Sequence, residues 1–278
     1  MLYYDGNRVY VSEELYYTIF RIKNRVIFAP CEELKKKQRY MKYAINRVFP
    51  LKMSTEKCAN LHSSKKWVLK MDIKDFYNSV PYEAIMWVMK KVSERVYKAE
   101  VNTYLRYTTI DLKLPTGAPT SAHIANACFR PLDKRIKTYC NNFNIDYSRY
   151  MDDMTFSSNE KFYLNMIEKY VRNILGGTGF EINEKKTRYI SDNKQQNILG
   201  LVVNNGKARV PKKLKRRVRA MLHSYYLFMH RTSDLDIKHR TWDKNKVAEL
   251  NGYIGYIKKV DNDGYQKLKA YCDKKLKR

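Results

Sequence analysis

The chain has few acidic residues for its size and no long apolar run. Asp and Glu total 28 against 55 Lys and Arg, which leaves a formal net charge of +27 over 278 residues. No stretch approaches the ~20 apolar residues that a membrane-spanning helix needs. The N-terminal run Met1-Leu2-Tyr3-Tyr4-Asp5 also lacks the basic and then apolar pattern of a signal peptide. We therefore expect no association with a membrane.

Cysteine is scarce and scattered. The five cysteines are Cys31, Cys58, Cys128, Cys140 and Cys272, and no two of them form a Cys-x-x-Cys pair. This spacing argues against a structural zinc site and against a disulfide framework. Reduced thiols in a cytoplasmic protein are the expectation.

Positive charge and tyrosine are abundant. A cationic excess of this size attracts polyanions, and without a membrane segment the expected polyanion is nucleic acid. Most of the 24 tyrosines are expected to pack in the protein, while a few could stack on bases. The hydrophobic content of 44% is enough for one large domain or two modest ones.

Apolar spacing predicts mixed strands and helices, followed by a basic helical region. We expect strands at 8–11, 25–28 and 67–71, and helices over 32–49, 82–96, 98–108, 120–140 and 160–175. Thr120 and Ser121 are expected to cap the fourth helix. The pattern is irregular over 51–66 and indicates short strands over 180–210. From Pro211 the pattern predicts two or three amphipathic helices, so we place a boundary near residue 205.

Two adjacent carboxylates stand in the run Tyr150-Met151-Asp152-Asp153, between apolar-leaning segments that predict a β-hairpin. Asp72 follows another strand-like run, from Trp67 to Met71. Carboxylates that come from separate strands and meet at one point are what two divalent metal ions need for phosphoryl transfer. Taken singly, each has an ordinary interpretation, because paired acids are common in surface turns and Asp72 could cap the next helix.

Several further segments stand in a fixed order around these acids. They are Arg25 to Pro30, Met71 to Tyr77, Leu114 to Ser121, Tyr150 to Asp153, Asn183 to Thr187 and Ile198 to Val203. In this order the chain resembles bacterial reverse transcriptases of the retron and group II intron lineage. Leu114 to Ser121 resembles the family's template- and nucleotide-contacting segment. One departure there is Thr116, which stands where that family usually has Gln.

The resemblance implies a metal site. Asp72 and Asp152 would bind two Mg²⁺ ions, with Mn²⁺ as an alternative, and Asp153 would support the site. The backbone carbonyl of Ile73 would help to hold the ion on the nucleotide side.

The resemblance also implies a nucleotide site. Arg25, with Lys23, would hold the triphosphate, and Lys186 would lie near it as a mobile cation. Tyr77 would be the gate beneath the sugar that blocks a 2′-hydroxyl, and Gly117 would allow close backbone approach to the base pair. Each residue also has a simpler interpretation, such as an edge-strand cation, a core aromatic or a turn glycine.

The implied fold is an α+β right-hand polymerase. Residues 1–205 would form fingers and palm, with a ferredoxin-like antiparallel palm sheet, and residues 206–278 a basic helical thumb. The implied function is RNA-directed DNA polymerase, adding dNTPs to a 3′-OH to make a DNA product. A non-coding RNA would be its partner, as in retrons or antiphage defence, in the bacterial cytoplasm.

Two alternatives to this function stay open. One is a template-independent or protein-primed DNA polymerase of the same lineage, and the other is a catalytically silent RNA-binding subunit. Protein partners and self-association are left open as well.

Overall fold

The structure, a computed structural model, describes residues 2–51, 53–96, 100–230 and 243–275. Its elements in chain order are β1 (Tyr3–Asp5), β2 (Arg8–Tyr10), β3 (Tyr16–Ile22), β4 (Arg25–Pro30), α1 (Glu32–Val48), α2 (Thr55–Leu61), β5 (Trp67–Asp72), α3 (Tyr82–Arg95), α4 (Val101–Thr108), α5 (Ser121–Asn141), β6 (Asp146–Tyr150), β7 (Asp153–Ser158), α6 (Leu164–Leu175), a 3-10 turn (Glu184–Lys186), β8 (Arg188–Ser191), β9 (Asn197–Ile198), β10 (Leu201–Val202), α7 (Lys212–His230), α8 (Lys244–Val260) and α9 (Asn262–Lys275).

The chain divides into two compact units by its internal contacts. Unit 1 comprises Met1–Ser54 and Trp67–Tyr189, and unit 2 comprises Thr55–Lys66 and Ile190–Arg278. The division of function at residue 205 stays a prediction. Within the predicted thumb, residues 231–242 and 276–278 lie outside the described residues.

Unit 1 is built around two sheets. The first has the order β1–β2–β3–β4 and is antiparallel throughout. The second has the order β6–β7–β5–β8, with β7 antiparallel to both β6 and β5, and the division between the units falls within β8. Helices and antiparallel sheets in this arrangement make the fold α+β.

Helices anchor the strands that carry the predicted acids. On α3 the buried residues Ile85, Val88, Met89 and Val92 recur at helical spacing and join the main core. In β5 and β7 the buried side chains of that core include Leu69, Met71, Met154 and Phe156. Because close-packed interiors hold side chains in few positions, the strand ends that follow are held firmly.

Three local expectations were wrong. Residues 51–66 are not irregular throughout, because they include α2, whose Cys58 and Ala59 are buried. Helix α6 begins at Leu164 rather than at residue 160, since the carbonyl oxygen of Phe162 accepts from the Tyr189 hydroxyl instead of joining a helical turn.

The third wrong expectation is the side-chain cap at the start of α5. Thr120 already has helical backbone angles and makes no capping hydrogen bond through its side chain. The Ser121 hydroxyl donates to the carbonyl oxygen of Pro115 at 2.7 Å. The Ser121 hydroxyl therefore bonds to the loop before α5 and does not cap the helix as expected.

Unit 2 confirms the predicted helical character of the basic region. Helices α7, α8 and α9 contact one another, and α2 contacts β10 of the short hairpin β9–β10. Asp261, between α8 and α9, is buried and accepts from Lys215 of α7 at 2.9 Å. None of the helices in the described part of the chain is both long and apolar enough to span a bilayer. None of the five cysteines, all of which lie in the described residues, forms a disulfide.

Candidate active site

The predicted acids come together at one end of the second sheet. Across β5 and β7 the register pairs Asp72 directly with Asp153. Next to this pair, the Ile73 N–H donates to the carbonyl oxygen of Asp152 at 3.0 Å. Residues far apart in the chain are therefore neighbours in the sheet, and the tight hairpin between β6 and β7 carries two of the three acids.

A cavity of about 450 Å³ opens beside these strand ends. Of the residues singled out in the sequence, those that line it are Arg25, Asp72, Ile73, Tyr77, Asp152 and Lys186. Lining residues that the sequence analysis assigned no role are Asn24, Val26, Phe28, Lys74, Asp75, Phe76, Asn78, Thr116 and Asn183. Unit 1 thus supplies every residue of this lining.

Three of the predicted site residues do not line the cavity. Asp153 is paired with Asp72 in the sheet but is absent from the described lining. Lys23 is exposed in the turn between β3 and β4, with a positive φ of 53°, and its neighbours Asn24 and Arg25 reach the cavity instead. Gly117 follows the lining residue Thr116 in the chain but does not line the cavity itself.

A lysine supplies positive charge at the most buried of the acids. Lys186 Nζ donates to Asp72 Oδ1 at 2.9 Å, and Asp72 is only 6% exposed. Main-chain bonds hold the turn that carries Lys186, because the Asn183 N–H donates to the Asp72 carbonyl at 2.7 Å. Lys186 is the lysine that the resemblance places near the triphosphate, and it lines the cavity.

Burial, together with the neighbouring carboxylates, raises the pKa of Asp152 and of Asp153. Burial raises the pKa of Asp152, and the Asp72 charge raises it further, while a backbone hydrogen bond, Lys186 and Arg25 act to lower it. Burial likewise raises the pKa of Asp153, with the Asp152 charge as the next cause. Because like charges at close range favour neutralisation, a bound cation would relieve this repulsion.

The donor set suits Mg²⁺. Carboxylate and carbonyl oxygens are hard ligands, and Mg²⁺ commonly binds through one or two carboxylates together with substrate phosphates. Within the described ranges, no three or more Asp, Glu, His and Cys side chains form a metal-holding group. Asp72 and Asp152 fit an ion that shares its coordination with a triphosphate, rather than one held by a cage of protein side chains.

An arginine that the sequence analysis missed supports the hairpin. Arg149 Nη1 donates at 2.6 Å to the carbonyl oxygen of Met151, the residue just before Asp152. Met151 has a φ of +57°, which is uncommon for a residue with a side chain. The same Nη1 donates at 2.7 Å to Oδ1 of Asn126 on α5.

Arg149 is itself held by an ion pair. Its Nε and Nη2 donate to Asp133 Oδ1 and Oδ2 at 2.9 and 2.7 Å, in the forked geometry that guanidinium favours. The Tyr147 hydroxyl donates to the same Asp133 at 2.7 Å. The guanidinium also lies 4.3 Å from the ring centre of Phe129. Helix α5 thereby fixes the hairpin, and no pattern in the sequence connects residues 133 and 149.

The predicted template-contacting loop packs tightly on β4. The Phe28 N–H donates to the carbonyl oxygen of Thr116 at 2.8 Å. Gly117 has a φ of +114°, and a Cβ added there would lie 2.8 Å from the Phe28 carbonyl oxygen. Glycine is therefore required at this position for backbone approach as well as for conformation.

The chain is similar in sequence to known reverse transcriptases. The family model described as reverse transcriptase (RNA-dependent DNA polymerase) matches residues 15–203. The retron Ec86 reverse transcriptase of Escherichia coli is 24% identical over 260 residues, covering 90% of this chain and 76% of that protein. The retron Mx65 reverse transcriptase of Myxococcus xanthus is 28% identical over 270 residues, covering 88% of this chain and 60% of that protein.

Among solved structures, a telomerase from Candida albicans in complex with a TWJ fragment of telomeric RNA aligns with a TM-score of 0.47. It is 12% identical, and the alignment covers 92% of this chain and 55% of that one. This likeness is too loose to support an argument. The family model, by contrast, covers more than half of the chain. The chain therefore belongs to the reverse transcriptase family of RNA-directed DNA polymerases, and it is similar to the bacterial retron enzymes.

Proposed function

We propose that the chain copies RNA into DNA by adding dNTPs to a 3′-OH at the cavity beside β5 and β7. The observation that carries this proposal is the lining itself. Asp72, at the end of β5, and Asp152, in the turn between β6 and β7, line the same cavity as the cations Arg25 and Lys186. Opposite charges in one cavity suit a triphosphate that arrives with divalent metal ions.

Residues in and beside the cavity have separate tasks in this proposal. Asp72 and Asp152 hold Mg²⁺, with Asp153 and the Ile73 carbonyl in support. When bound, two Mg²⁺ ions lower the pKa of the primer hydroxyl and stabilise the charge that develops on the leaving pyrophosphate. Arg25 binds the triphosphate through its forked donors, and Lys186 turns from Asp72 to a phosphate oxygen. Tyr77 excludes a 2′-hydroxyl.

The basic helices of unit 2 are proposed to be the thumb. Exposed cations at the start of α7 include Lys212, Lys213 and Arg216. Cations in such a row attract the phosphates of a primer–template duplex, with an affinity that falls as salt rises. A partner non-coding RNA, and a role in a retron or in antiphage defence, are further proposals that follow from the resemblance to retron enzymes.

Paired substitutions test the metal assignment. Asp152→Asn with Asp153→Asn is expected to abolish dNTP incorporation on an RNA template while RNA binding stays unchanged. The matched control is Glu13→Gln with Glu14→Gln, another adjacent pair of acids, which is exposed in unit 1 and outside the cavity. Incorporation that persists in the aspartate variant would remove these acids from the site. A wild-type chain that binds RNA without incorporating any dNTP would instead support a silent RNA-binding subunit.

One observation favours a second candidate, which is synthesis without a template or from a protein primer. Thr116, in place of the usual Gln, lines the cavity at the loop that would contact the template. The products should be sequenced from reactions with and without a defined RNA. Products complementary to that RNA support templated copying, whereas products of unrelated sequence formed without RNA support the second candidate.

A further inference from the structure

Helix α1 carries an aromatic and basic stripe on its solvent-facing side. The stripe consists of Arg39, Tyr40, Tyr43 and Arg47, whose spacing places them on one face of a helix. All four are exposed, with Tyr40 at 57% and Tyr43 at 59%. Both values are far above those of a tyrosine that packs in a core.

The opposite side of α1 performs the packing. Its buried residues are Leu34, Gln38, Met41, Ala44 and Ile45, and the helix contacts α3, α4, α5 and β4. The packing of α1 in unit 1 therefore does not require the two stripe tyrosines to be buried. Large aromatic surface left in water on a helix that is otherwise polar outside indicates a surface for binding.

The distribution of charge along α1 favours a polyanion as the ligand. The two acids of the helix, Glu32 and Glu33, stand in its first turn and pair with Lys35 and Lys36 at 2.9 and 2.8 Å. From residue 38 to residue 48 the helix carries cations and no acid. Within the described chain, neither Arg39 nor Arg47 takes part in an ion pair, so both remain available to phosphates.

The stripe is separate from the catalytic cavity. No lining residue of that cavity belongs to α1. A single nucleotide bound in the cavity therefore makes no contact with the stripe. A polynucleotide strand that extends out of the cavity can contact it. Cations interleaved with exposed aromatic rings are the arrangement by which proteins bind single strands, since each ring stacks on an unpaired base.

We propose that the α1 stripe binds a single-stranded segment of RNA. Arg39 and Arg47 contact its phosphates, and Tyr40 and Tyr43 stack on unpaired bases. The identity of the polymer as RNA rests on the proposed function, whereas the preference for a single strand rests on the two exposed rings.

The test measures binding of a fluorescently labelled unstructured RNA to the full chain by anisotropy. Tyr40→Leu with Tyr43→Leu is expected to weaken binding at least tenfold, because stacking contributes about 1–3 kcal/mol for each base and about 1.4 kcal/mol corresponds to a factor of ten. Tyr40→Phe with Tyr43→Phe keeps both rings and is expected to bind as the wild type does. Thermal unfolding of both pairs should match the wild type, since the rings are exposed.

Salt titration tests the arginines. Arg39→Gln with Arg47→Gln is expected to reduce the slope of log affinity against log salt by about 1.4, at roughly 0.7 for each phosphate contact on a single strand. The matched control is Arg135→Gln with Lys137→Gln, which removes the same charge from exposed positions on α5. An equal loss in both variants would mean a general attraction to the basic surface and would overturn the proposal.

Activity separates this proposal from the proposed function. Incorporation on a short primer–template is expected to continue in the stripe variants, since the stripe does not line the cavity. If the wild type incorporates dNTPs and the leucine variant binds the unstructured RNA as tightly as the wild type, the stripe proposal fails by itself. Weaker binding that is confined to a fully paired hairpin RNA would also overturn it. A wild type that fails to incorporate dNTPs counts against the proposed function instead.

Discussion

Arg149 and Asp133 form a forked ion pair beside the β6–β7 hairpin, with donor–acceptor distances of 2.9 and 2.7 Å. The Arg149 side chain is 4% exposed and the Asp133 side chain 28%. The pair joins α5 to β6, and through the Met151 carbonyl it fixes the residue that precedes Asp152. Its effect on the site is therefore positional, since neither member lines the cavity.

Loss of this pair should destabilise unit 1. We expect Arg149→Met to lower the free energy of unfolding by about 3 kcal/mol, because it leaves a largely buried carboxylate without its partner. Urea unfolding measures the change. The control is Arg172→Met, whose arginine is 41% exposed and pairs with both Glu168 and Glu184 at the surface, and which should cost roughly 1 kcal/mol or less. Similar losses in the two variants would show that the Arg149 pair contributes no more than a surface pair.

Gly117 should tolerate no side chain. Gly117→Ala combines a positive φ with a contact of 2.8 Å to the Phe28 carbonyl, so we expect a loss of roughly 2 kcal/mol or more. The control Gly6→Ala has a φ of +55° and open space, and should cost about 1 kcal/mol. Urea unfolding compares the two. An equal cost would mean that the loop moves away from β4 without penalty.

Part of the fold and of the candidate site could be predicted from the sequence. The family and the RNA-directed DNA polymerase activity are confirmed, since motif order along a chain is visible in the sequence. The hairpin and its neighbouring strand were also predictable, because Asp152 and Asp72 each follow an apolar run of β character. The register itself was not visible in the sequence: it pairs Asp72 with Asp153 and leaves Asp152 in the adjoining turn.

The remainder depends on contacts between distant residues. Arg149 is an ordinary cation in the sequence, and its partners Asp133 and Asn126 become visible only when α5 packs against β6. Helix α2 was missed because a short helix is decided by tertiary packing more than by propensity. The resemblance implied Lys23 as a companion of Arg25, whereas in the two-residue turn between β3 and β4 it is Asn24 that lines the cavity.

Tyr77 should control the choice of sugar. It lines the cavity, and burial raises the pKa of its hydroxyl, with the Asp152 charge as the next cause, so the ring stays neutral at working pH. Tyr77→Ala opens space beneath the sugar. We expect discrimination against ribonucleotides to fall at least tenfold, because a site that excludes one additional substrate group commonly discriminates by a factor of about ten or more.

The measurement for Tyr77 is kcat/KM for a dNTP and for the matching rNTP. Tyr77→Phe is the control, because it keeps the ring and removes the hydroxyl, and its discrimination should stay near the wild-type value. If the alanine variant discriminates as the wild type does, Tyr77 is a packing residue and another side chain must act as the gate.

Asp261 should make the stability of unit 2 depend on acid pH. Burial acts to raise the pKa of Asp261, yet hydrogen bonds from Lys215, Gly264 and Val210 outweigh it and lower the pKa below its ordinary value. A carboxyl with a lowered folded-state pKa stabilises the fold above its unfolded pKa of about 3.9, and this contribution is lost as the pH falls through the folded value. Urea unfolding from pH 6 to about pH 3 should therefore show a smaller decline in Asp261→Asn than in the wild type. The exposed control Asp263→Asn should decline as the wild type does, and parallel curves for all three proteins would contradict the role of Asp261.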